Sequence, residues 1–350
     1  MKSRTDVEVA VPFKAAFADL AAWEERAGMI RAQIRATLDL PSTLNRPPVE
    51  AIVDQPIERD TYTIYHVRFT SVEGHQVTGN LYRPHGRGPF PAVLHPHGHW
   101  KDGRLQWNDD AKVAAELASG AERTEAGARV PLQAFNAHLA RLGCVVFIYD
   151  MVAYGESTAL AHGNPVAGAG PQTGMGLQIW NGLRSLDFLV GLPDVDATRI
   201  GAAGASSGGL QSVILAALDD RICAVAPVAM IAQAKQGGCV CETAPRLRVG
   251  TNNVEFAALI APRSLGFASA NDWTTDFATN GLPELQRIYE LYGAAGKVEH
   301  THVPFGHNFN VHSREFVYDF FNRCLRLNRD DTREQSFEPV GPAQLAQVLR

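Results

Sequence analysis

The sequence predicts an α/β fold, in which a mostly parallel sheet of about eight strands carries helices on both faces. The first observation is that short, fully apolar runs alternate with helical patterns from residue 92 to residue 327, which is typical of βαβ units. The second is size, because 350 residues with 45% hydrophobic and 20% charged residues can bury a large core. These proportions exclude a disordered chain and a small disulfide scaffold.

The first elements along the chain are a helix and a hairpin. Residues 13–39 carry apolar side chains at three- and four-residue spacing, which predicts an amphipathic helix. The proline-containing stretch Pro41–Pro48 ends this helix. Two β-like runs follow, Tyr62–Thr70 and Val77–Tyr82. Glu73 and Gly74 between them favour a turn, so we expect an antiparallel hairpin.

The rest of the chain supplies the parallel part of the sheet. The remaining strand candidates are Ala92–Leu94, Cys144–Tyr149, Ile200–Ala203, Ala224–Met230, Leu265–Ala268 and Val298–Val303. Helical patterns cover Pro131–Arg141, Gly174–Val190, Gly208–Leu218, Leu282–Tyr292 and Arg314–Leu327. Two segments, 101–129 and 231–254, interrupt the alternation as excursions from one sheet. We therefore expect a helical arm (1–60), one α/β domain (61–328) and a C-terminal tail (329–350).

The charge and composition of the chain exclude some classes of binding partner. The net charge is −5 and the chain has no run rich in Lys and Arg, so we expect no nucleic acid partner. The apolar stretches are far shorter than the ~20 residues of a membrane span, so we expect no membrane partner. The N-terminus lacks the apolar segment of a signal peptide, which favours the cytoplasm and leaves an already processed secreted form open. Five cysteines fit a reducing compartment.

The sharpest motif is Gly204-Ala205-Ser206-Ser207-Gly208, a G-x-S-x-G. It directly follows a predicted strand and precedes a predicted helix, the setting of a nucleophile elbow. The turn strains the serine backbone and requires small neighbours, which the glycines provide. An ordinary glycine-rich loop is the plainer interpretation, but the strand–helix context favours Ser206 as a nucleophile.

A serine nucleophile needs a base, and in this type of fold the order is serine, acid, histidine. We predict His307 as the base, because it lies in a loop just after a predicted strand. His312 is the fallback. His300 and His302 alternate within the strand itself and therefore share one face of the sheet.

The acid is expected after the preceding strand, at the same edge of the sheet. Asp272 is the first carboxylate there, and Asp276 follows one turn later. A carboxylate in this place would accept a hydrogen bond from the imidazole and fix its tautomer. We predict Asp272, although an Asx turn is an equally simple reason for an Asp after a strand.

Two backbone N–H groups would form an oxyanion hole. We predict that they belong to Ser207, directly after the nucleophile, and to His99, in the loop His95–Trp100. The alternate histidines His95, His97 and His99 also resemble metal ligands. Strand alternation would not make them converge, and no neighbouring carboxylate or cysteine cluster completes a ligand shell. We therefore expect no metal.

The segment Cys239-Val240-Cys241-Glu242 has two open interpretations. Its C-x-C pair is too close for an easy disulfide and too small for a zinc site without partners. It is either a tight buried turn or part of a pocket wall, with Glu242 near the catalytic residues. Trp100 and Trp273 flank the predicted site loops and are further candidates for the substrate pocket.

These residues resemble the α/β-hydrolase superfamily and, more narrowly, bacterial acetyl-xylan-esterase-like and dienelactone-hydrolase-like serine hydrolases. The resemblance extends from about Gly79 to Leu325. It is carried by GNLYRP, HPHGHW, DVDATRIGAAGASSGG, AALDDRI, GGCVCETAPRLR, APRSLGFASANDWT and PFGHNFN.

The resemblance implies a Ser206–Asp272–His307 triad that cleaves a small-molecule carboxylic ester through an acyl-enzyme, with no cofactor. The same triad could act on a lactone, an amide or a C–C bond, and a non-catalytic binding module on this fold is a further alternative. Substrate choice is expected to reside in the N-terminal helix and in segment 101–129. Homo-oligomer formation stays open.

Overall fold

The computed structural model describes residues 11–41, 46–158, 171, 173–233, 237–239, 241–244 and 246–346. Some of the predicted features fall on residues outside this set. These residues include 1–10, 42–45 of the proline-containing stretch, and parts of the 231–254 excursion. The strands are β1 (Ile52–Glu58), β2 (Tyr62–Val72), β3 (His75–Pro84), β4 (Phe90–Pro96), β5 (Val145–Tyr149), β6 (Val195–Ala205), β7 (Ile222–Val228), β8 (Ser264–Ser269) and β9 (Val298–His302).

Helices precede, connect and follow these strands. They are α1 (Leu20–Thr37), α2 (Asp110–Ser119), α3 (Glu125–Arg129), α4 (Pro131–Arg141), α5 (Gly174–Val190), α6 (Ser207–Leu218), α7 (Asn253–Ala258), α8 (Phe277–Asn280), α9 (Leu282–Leu291), α10 (Val311–Cys324) and α11 (Pro342–Leu345). Short 3₁₀ turns lie at Gly103–Leu105 and Ala295–Lys297. None of the helices in the described part of the chain is both long and apolar enough to cross a bilayer.

The strands form one sheet in the order β1-β2-β3-β5-β4-β6-β7-β8-β9. Strands β1, β2 and β3 pair antiparallel, as do β3 and β5, and the sheet is parallel from β5 through to β9. The predicted α/β class is therefore confirmed. The strand that was not predicted is β1, which lies where only a helical arm was expected. Its sequence, IVDQPIE, is polar and mostly exposed, because it occupies an edge of the sheet.

Strand β5 shows why the parallel strands are visible in the sequence. Val145, Phe147 and Tyr149 belong to the core cluster on one face of the sheet. Val146 and Ile148 belong to the cluster on the other face. Because helices cover both faces, every residue of the strand is buried and the strand reads as a continuous apolar run.

Helix α1 is shorter than predicted and packs on the domain. It begins at Leu20, because the Asp19 carboxylate accepts a hydrogen bond from the Ala22 N–H and caps the helix. Residues 11–19, the described part of the chain before it, form no helix, and Phe13 N–H donates to the Gln233 side chain at 2.7 Å. The buried side of the helix, which includes Trp23, faces the larger core cluster. The predicted arm thus packs on the core of the domain beside α6 and α7, to which Arg31 and Arg26 bind.

The described part of the tail packs against the domain. Gln133 on α4 donates to the Val340 carbonyl and accepts from its N–H, at 2.9 and 3.0 Å. The fully buried Arg314 on α10 contacts two carboxylates, Glu122 of the first excursion and Glu334 of the tail. These pairs tie the 101–129 excursion, the last long helix and the tail together beside one end of the sheet.

Candidate active site

Ser206 lies in a strained turn between β6 and α6. Its φ is 57° and its ψ −127°, a backbone conformation that side-chain-bearing residues rarely adopt. A Cβ at Gly204 or Gly208 would lie 2.3 or 2.1 Å from the Pro96 carbonyl oxygen at the end of β4. Only glycine therefore allows the elbow to press against the neighbouring strand. The Ser206 residue is 9% exposed, so little of its surface is open to solvent.

The two residues predicted to form the oxyanion hole belong to backbone segments that lie close to Ser206. Ser207 is the first residue of α6, and the first N–H groups of a helix have no acceptor within the helix. A Cβ at Gly98 would lie 2.8 Å from the Ala205 carbonyl oxygen and 3.1 Å from the Ser206 Cβ. The Gly98–His99 backbone therefore passes directly beside the serine.

His307 is hydrogen-bonded to Asp272. The His307 Nδ1–H donates to Asp272 Oδ2 at 2.7 Å. The other carboxylate oxygen accepts from the N–H and the hydroxyl of Thr274, at 2.7 and 2.6 Å. Burial raises the pKa of Asp272, but these hydrogen bonds outweigh burial and lower it overall. The carboxylate is thus held charged and oriented toward the imidazole.

Two tryptophans enclose the His307 ring. The ring centroid of Trp273 lies 4.4 Å away and that of Trp100 6.2 Å away. Both were predicted as pocket residues, and both lie beside His307. The indoles limit the positions that the imidazole can adopt, while its side chain remains 27% exposed.

The alternative site residues have other surroundings. Asp276 precedes the short helix α8. His312 Nε2–H donates to the Gly120 carbonyl at 2.9 Å. His300 and His302 both contact the Ser269 hydroxyl, each at 2.9 Å.

The three histidines after β4 contact different groups. His95 is buried against Asn136, with 2.6 Å between Nδ1 and Oδ1, and burial lowers its pKa to about 3. His97 donates to the Gly98 carbonyl and accepts from the Met151 N–H. The rings of His95 and His97 thus bind separate groups. This agrees with the expectation that strand alternation would not make the histidines converge.

His99 contradicts the expectation that no carboxylate or cysteine cluster lies near these histidines. Its Nε2 lies 3.0 Å from the Cys241 sulfur, and its Nδ1 lies 3.6 Å from a Glu242 carboxylate oxygen. Cysteine and carboxylate groups thus do surround one of the three histidines. The sequence left a pocket wall with Glu242 near the catalytic residues as one of two interpretations. It gave no sign of a contact with His99, because the segments are 142 residues apart.

Two cavities adjoin the catalytic candidates and share His99. The smaller, about 190 Å³, is lined by Ser206, Cys239, Glu242 and Trp273 among others. The larger, about 420 Å³, is lined by His307, Trp100 and several residues of segment 101–129, where substrate choice was expected to reside, including Trp107, Asn108 and Lys112. Among the described residues, the lining of neither cavity includes the N-terminal helix.

No family model matches the chain. The solved structure of methylesterase BT1017 matches it with a TM-score of 0.76 and 31% sequence identity, over 92% of this chain and 69% of that one. This chain belongs to the α/β-hydrolase family of esterases.

Of two further relatives, one is more distant in sequence and the other matches over a shorter segment. A glucuronoyl esterase from Solibacter usitatus is 16% identical with a TM-score of 0.64, and the match covers 91% of this chain and 98% of that one. At this identity the similarity shows the shared fold. YtaP of Bacillus subtilis (strain 168), which carries the name of a hydrolase, is 33% identical over 138 residues. That match spans 39% of this chain and 42% of YtaP, less than half of either protein.

Proposed function

We propose that this protein is a serine esterase that cleaves carboxylic esters through an acyl-enzyme intermediate. The observation that carries the proposal is the 2.7 Å hydrogen bond between His307 and Asp272, in loops after adjacent strands. The strained Ser206 turn ends at the same edge of the sheet. The esterase relatives support the reaction class, and the geometry supports the roles of the residues.

In the first half-reaction, His307 Nε2 takes the Ser206 hydroxyl proton while the serine oxygen attacks the ester carbonyl carbon. Asp272 accepts from the other ring nitrogen and stabilises the imidazolium that forms. The Ser207 and His99 N–H groups donate to the tetrahedral oxyanion, each worth about 3–4 kcal/mol in comparable sites. The C–O bond then breaks, and the leaving alcohol takes the proton from His307.

In the second half-reaction, water replaces the alcohol. His307 takes a proton from the water as its oxygen attacks the acyl carbon. Collapse of the second tetrahedral intermediate breaks the bond to Ser206, which recovers its proton, and the carboxylic acid leaves. The sequence of steps uses only side chains and backbone groups of this chain together with water.

The assignment is tested by labelling and turnover together. The wild type and Ser206→Ala are treated with a fluorophosphonate probe and measured by intact mass, and p-nitrophenyl acetate hydrolysis is followed in parallel. We expect the wild type to gain one adduct and Ser206→Ala to gain none and to lose turnover. Ser119→Ala, on α2, is the control and should behave as the wild type. Turnover retained by a folded Ser206→Ala protein would refute the mechanism.

We further propose that the ester is carried by a carbohydrate. The 420 Å³ cavity beside His307 combines the rings of Trp100 and Trp107 with polar groups such as Asn108 and Lys101. Aromatic faces pack against the C–H faces of sugars while amides and ammonium groups bind hydroxyl or carboxylate oxygens. The name of the glucuronoyl esterase relative agrees with such a substrate.

The substrate proposal is tested with a panel of esters. We expect a higher kcat/KM for a uronic acid methyl ester or an acetylated xylo-oligosaccharide than for simple alkyl esters. Lactone and amide analogues in the same panel identify the bond that is cleaved. Equal kcat/KM for sugar esters and simple alkyl esters would refute a carbohydrate substrate while leaving the esterase assignment intact.

A further inference from the structure

We propose that His99, Cys239 and Cys241 bind a zinc ion beside the nucleophile, and that Glu242 orients His99 for this purpose. The donor atoms of the three ligands all lie within 4.8 Å of one another. The set combines two thiols and one imidazole, the ligands that Zn²⁺ prefers. The sequence alone predicted no metal, because the C-x-C pair had no visible partner.

The distances suit a tetrahedral ion. Zinc bonds of about 2.3 Å to sulfur and about 2.1 Å to nitrogen place ligand atoms roughly 3.5–3.8 Å apart. The His99 Nε2 to Cys241 Sγ distance is 3.0 Å, and the remaining separations stay below 4.8 Å. Changes in side-chain torsions that alter these separations by up to about 1 Å would therefore form the site. Each thiol gives up its proton when it binds the metal.

The orientation of His99 is the second observation. Its Nε2 faces the thiols, while its Nδ1 faces Glu242 Oε1 at 3.6 Å. The other Glu242 oxygen accepts from the N–H groups of Gly238 and Cys239, at 2.9 and 3.2 Å. A histidine that binds a metal through one nitrogen commonly donates its other N–H to a carboxylate. Glu242 is buried and anchored so that it can accept that bond, which makes it a positioning residue.

The site lies next to the reaction centre. His99, Cys239 and Glu242 line the same 190 Å³ cavity as Ser206. Three protein ligands leave a fourth position for water or a substrate oxygen, as in catalytic zinc sites. The ion would also join the loop after β4 to segment 231–254 and hold His99, whose N–H is a proposed oxyanion donor. This coupling to hydrolysis rests on the proposed function, whereas zinc binding does not.

The test uses zinc and cobalt with the full, reduced chain. After incubation with Zn²⁺ and removal of free metal, elemental analysis should find one zinc per wild-type chain. Co²⁺ in its place should give the near-ultraviolet band of thiolate-to-cobalt charge transfer. Cys239→Ser and Cys241→Ser should each weaken Zn²⁺ binding, measured by competition with a chelator, by at least 100-fold. Glu242→Gln should weaken it roughly 10- to 100-fold.

Two control variants distinguish zinc binding at these ligands from binding to another thiol and from catalysis. Cys324→Ser removes a partly buried thiol elsewhere and should bind Zn²⁺ as the wild type does. Ser206→Ala should lose ester hydrolysis and keep the zinc, so a failure of the proposed function is distinguishable from a failure of the metal site. Circular dichroism establishes that each variant is folded.

Three results would overturn the proposal. They are a reduced wild type that binds no zinc, folded cysteine variants with unchanged affinity, and a Co²⁺ complex without the thiolate band. The last measurement needs no variant and therefore remains decisive if the cysteine variants fail to fold.

Discussion

His307 Nδ1 lies 2.7 Å from Asp272 Oδ2, although the two residues come from different loops. The loops follow β8 and β9, which pair in parallel, so both start from the same edge of the sheet. Thr274 holds the second carboxylate oxygen through two hydrogen bonds. The acid therefore has a fixed orientation, and the imidazole next to it has a defined tautomer with Nε2 available for proton transfer.

Asp272→Asn should reduce kcat for p-nitrophenyl acetate by a factor on the order of 10⁴, because the amide no longer enforces the catalytic tautomer of His307. Steady-state kinetics gives the factor. Asp276→Asn is the matched control, since Asp276 lies four residues further on and precedes α8. It should retain activity near that of the wild type. A larger loss in Asp276→Asn than in Asp272→Asn would assign the acid to Asp276.

Gly208→Ala should distort the strained turn at Ser206. Its Cβ would lie 2.1 Å from the Pro96 carbonyl oxygen, so the end of β4 or the start of α6 must move. We expect a loss of about 1–3 kcal/mol of unfolding free energy and an activity loss on the order of 100-fold. Gly306→Ala is the control in the His307 loop, because no heavy atom lies within 4 Å of its Cβ. Urea unfolding of both variants makes the comparison, and equal stabilities would contradict the steric argument.

His95 should make the protein less stable in acid. Burial lowers its pKa to about 3 from an ordinary 6.5, so the folded protein keeps the imidazole neutral while the unfolded chain takes up a proton. The unfolding free energy therefore falls as the pH drops from 6.5 toward 3, by about 1.4 kcal/mol per pH unit. Above pH 6.5 this contribution is constant. Urea unfolding across this pH range should show that the unfolding free energy of His95→Gln depends less steeply on pH than that of the wild type. An unchanged pH dependence would exclude His95 as its source.

Trp107→Ala should raise KM for a carbohydrate ester without changing turnover of p-nitrophenyl acetate. Trp107 lines the larger cavity, is 43% exposed and lies 6.0 Å below the Arg129 guanidinium. Loss of stacking on its ring corresponds to roughly a 2- to 10-fold increase in KM. Leu117→Ala removes a partly exposed side chain from α2 and serves as the control. If both substrates respond equally to Trp107→Ala, the indole does not contact the sugar.

Most parallel strands were predictable because burial on both faces leaves an unbroken apolar run, as in β5. Several helices were predictable from the three- and four-residue spacing of their apolar residues. Strand β1 was missed because an edge strand with Asp54, Gln55 and Pro56 reads as a loop. The predicted start of α1, at residue 13, was wrong because the three- and four-residue spacing of apolar residues continues through the residues that precede and cap the helix. Local pattern thus identifies buried elements better than edges and termini.

The glycine pattern around Ser206 predicted a tight strand–turn–helix connection from the sequence alone, since strand, strained turn and helix follow one another within a few residues. The partner of His307 depended on tertiary structure, because Asp272 and Asp276 fit the same loop and only the folded chain shows which carboxylate faces the ring. The surroundings of His99 had no local sign either, because Cys241 comes 142 residues later. Contacts of that range follow from the packing of the sheet and its excursions, which no short stretch of residues encodes.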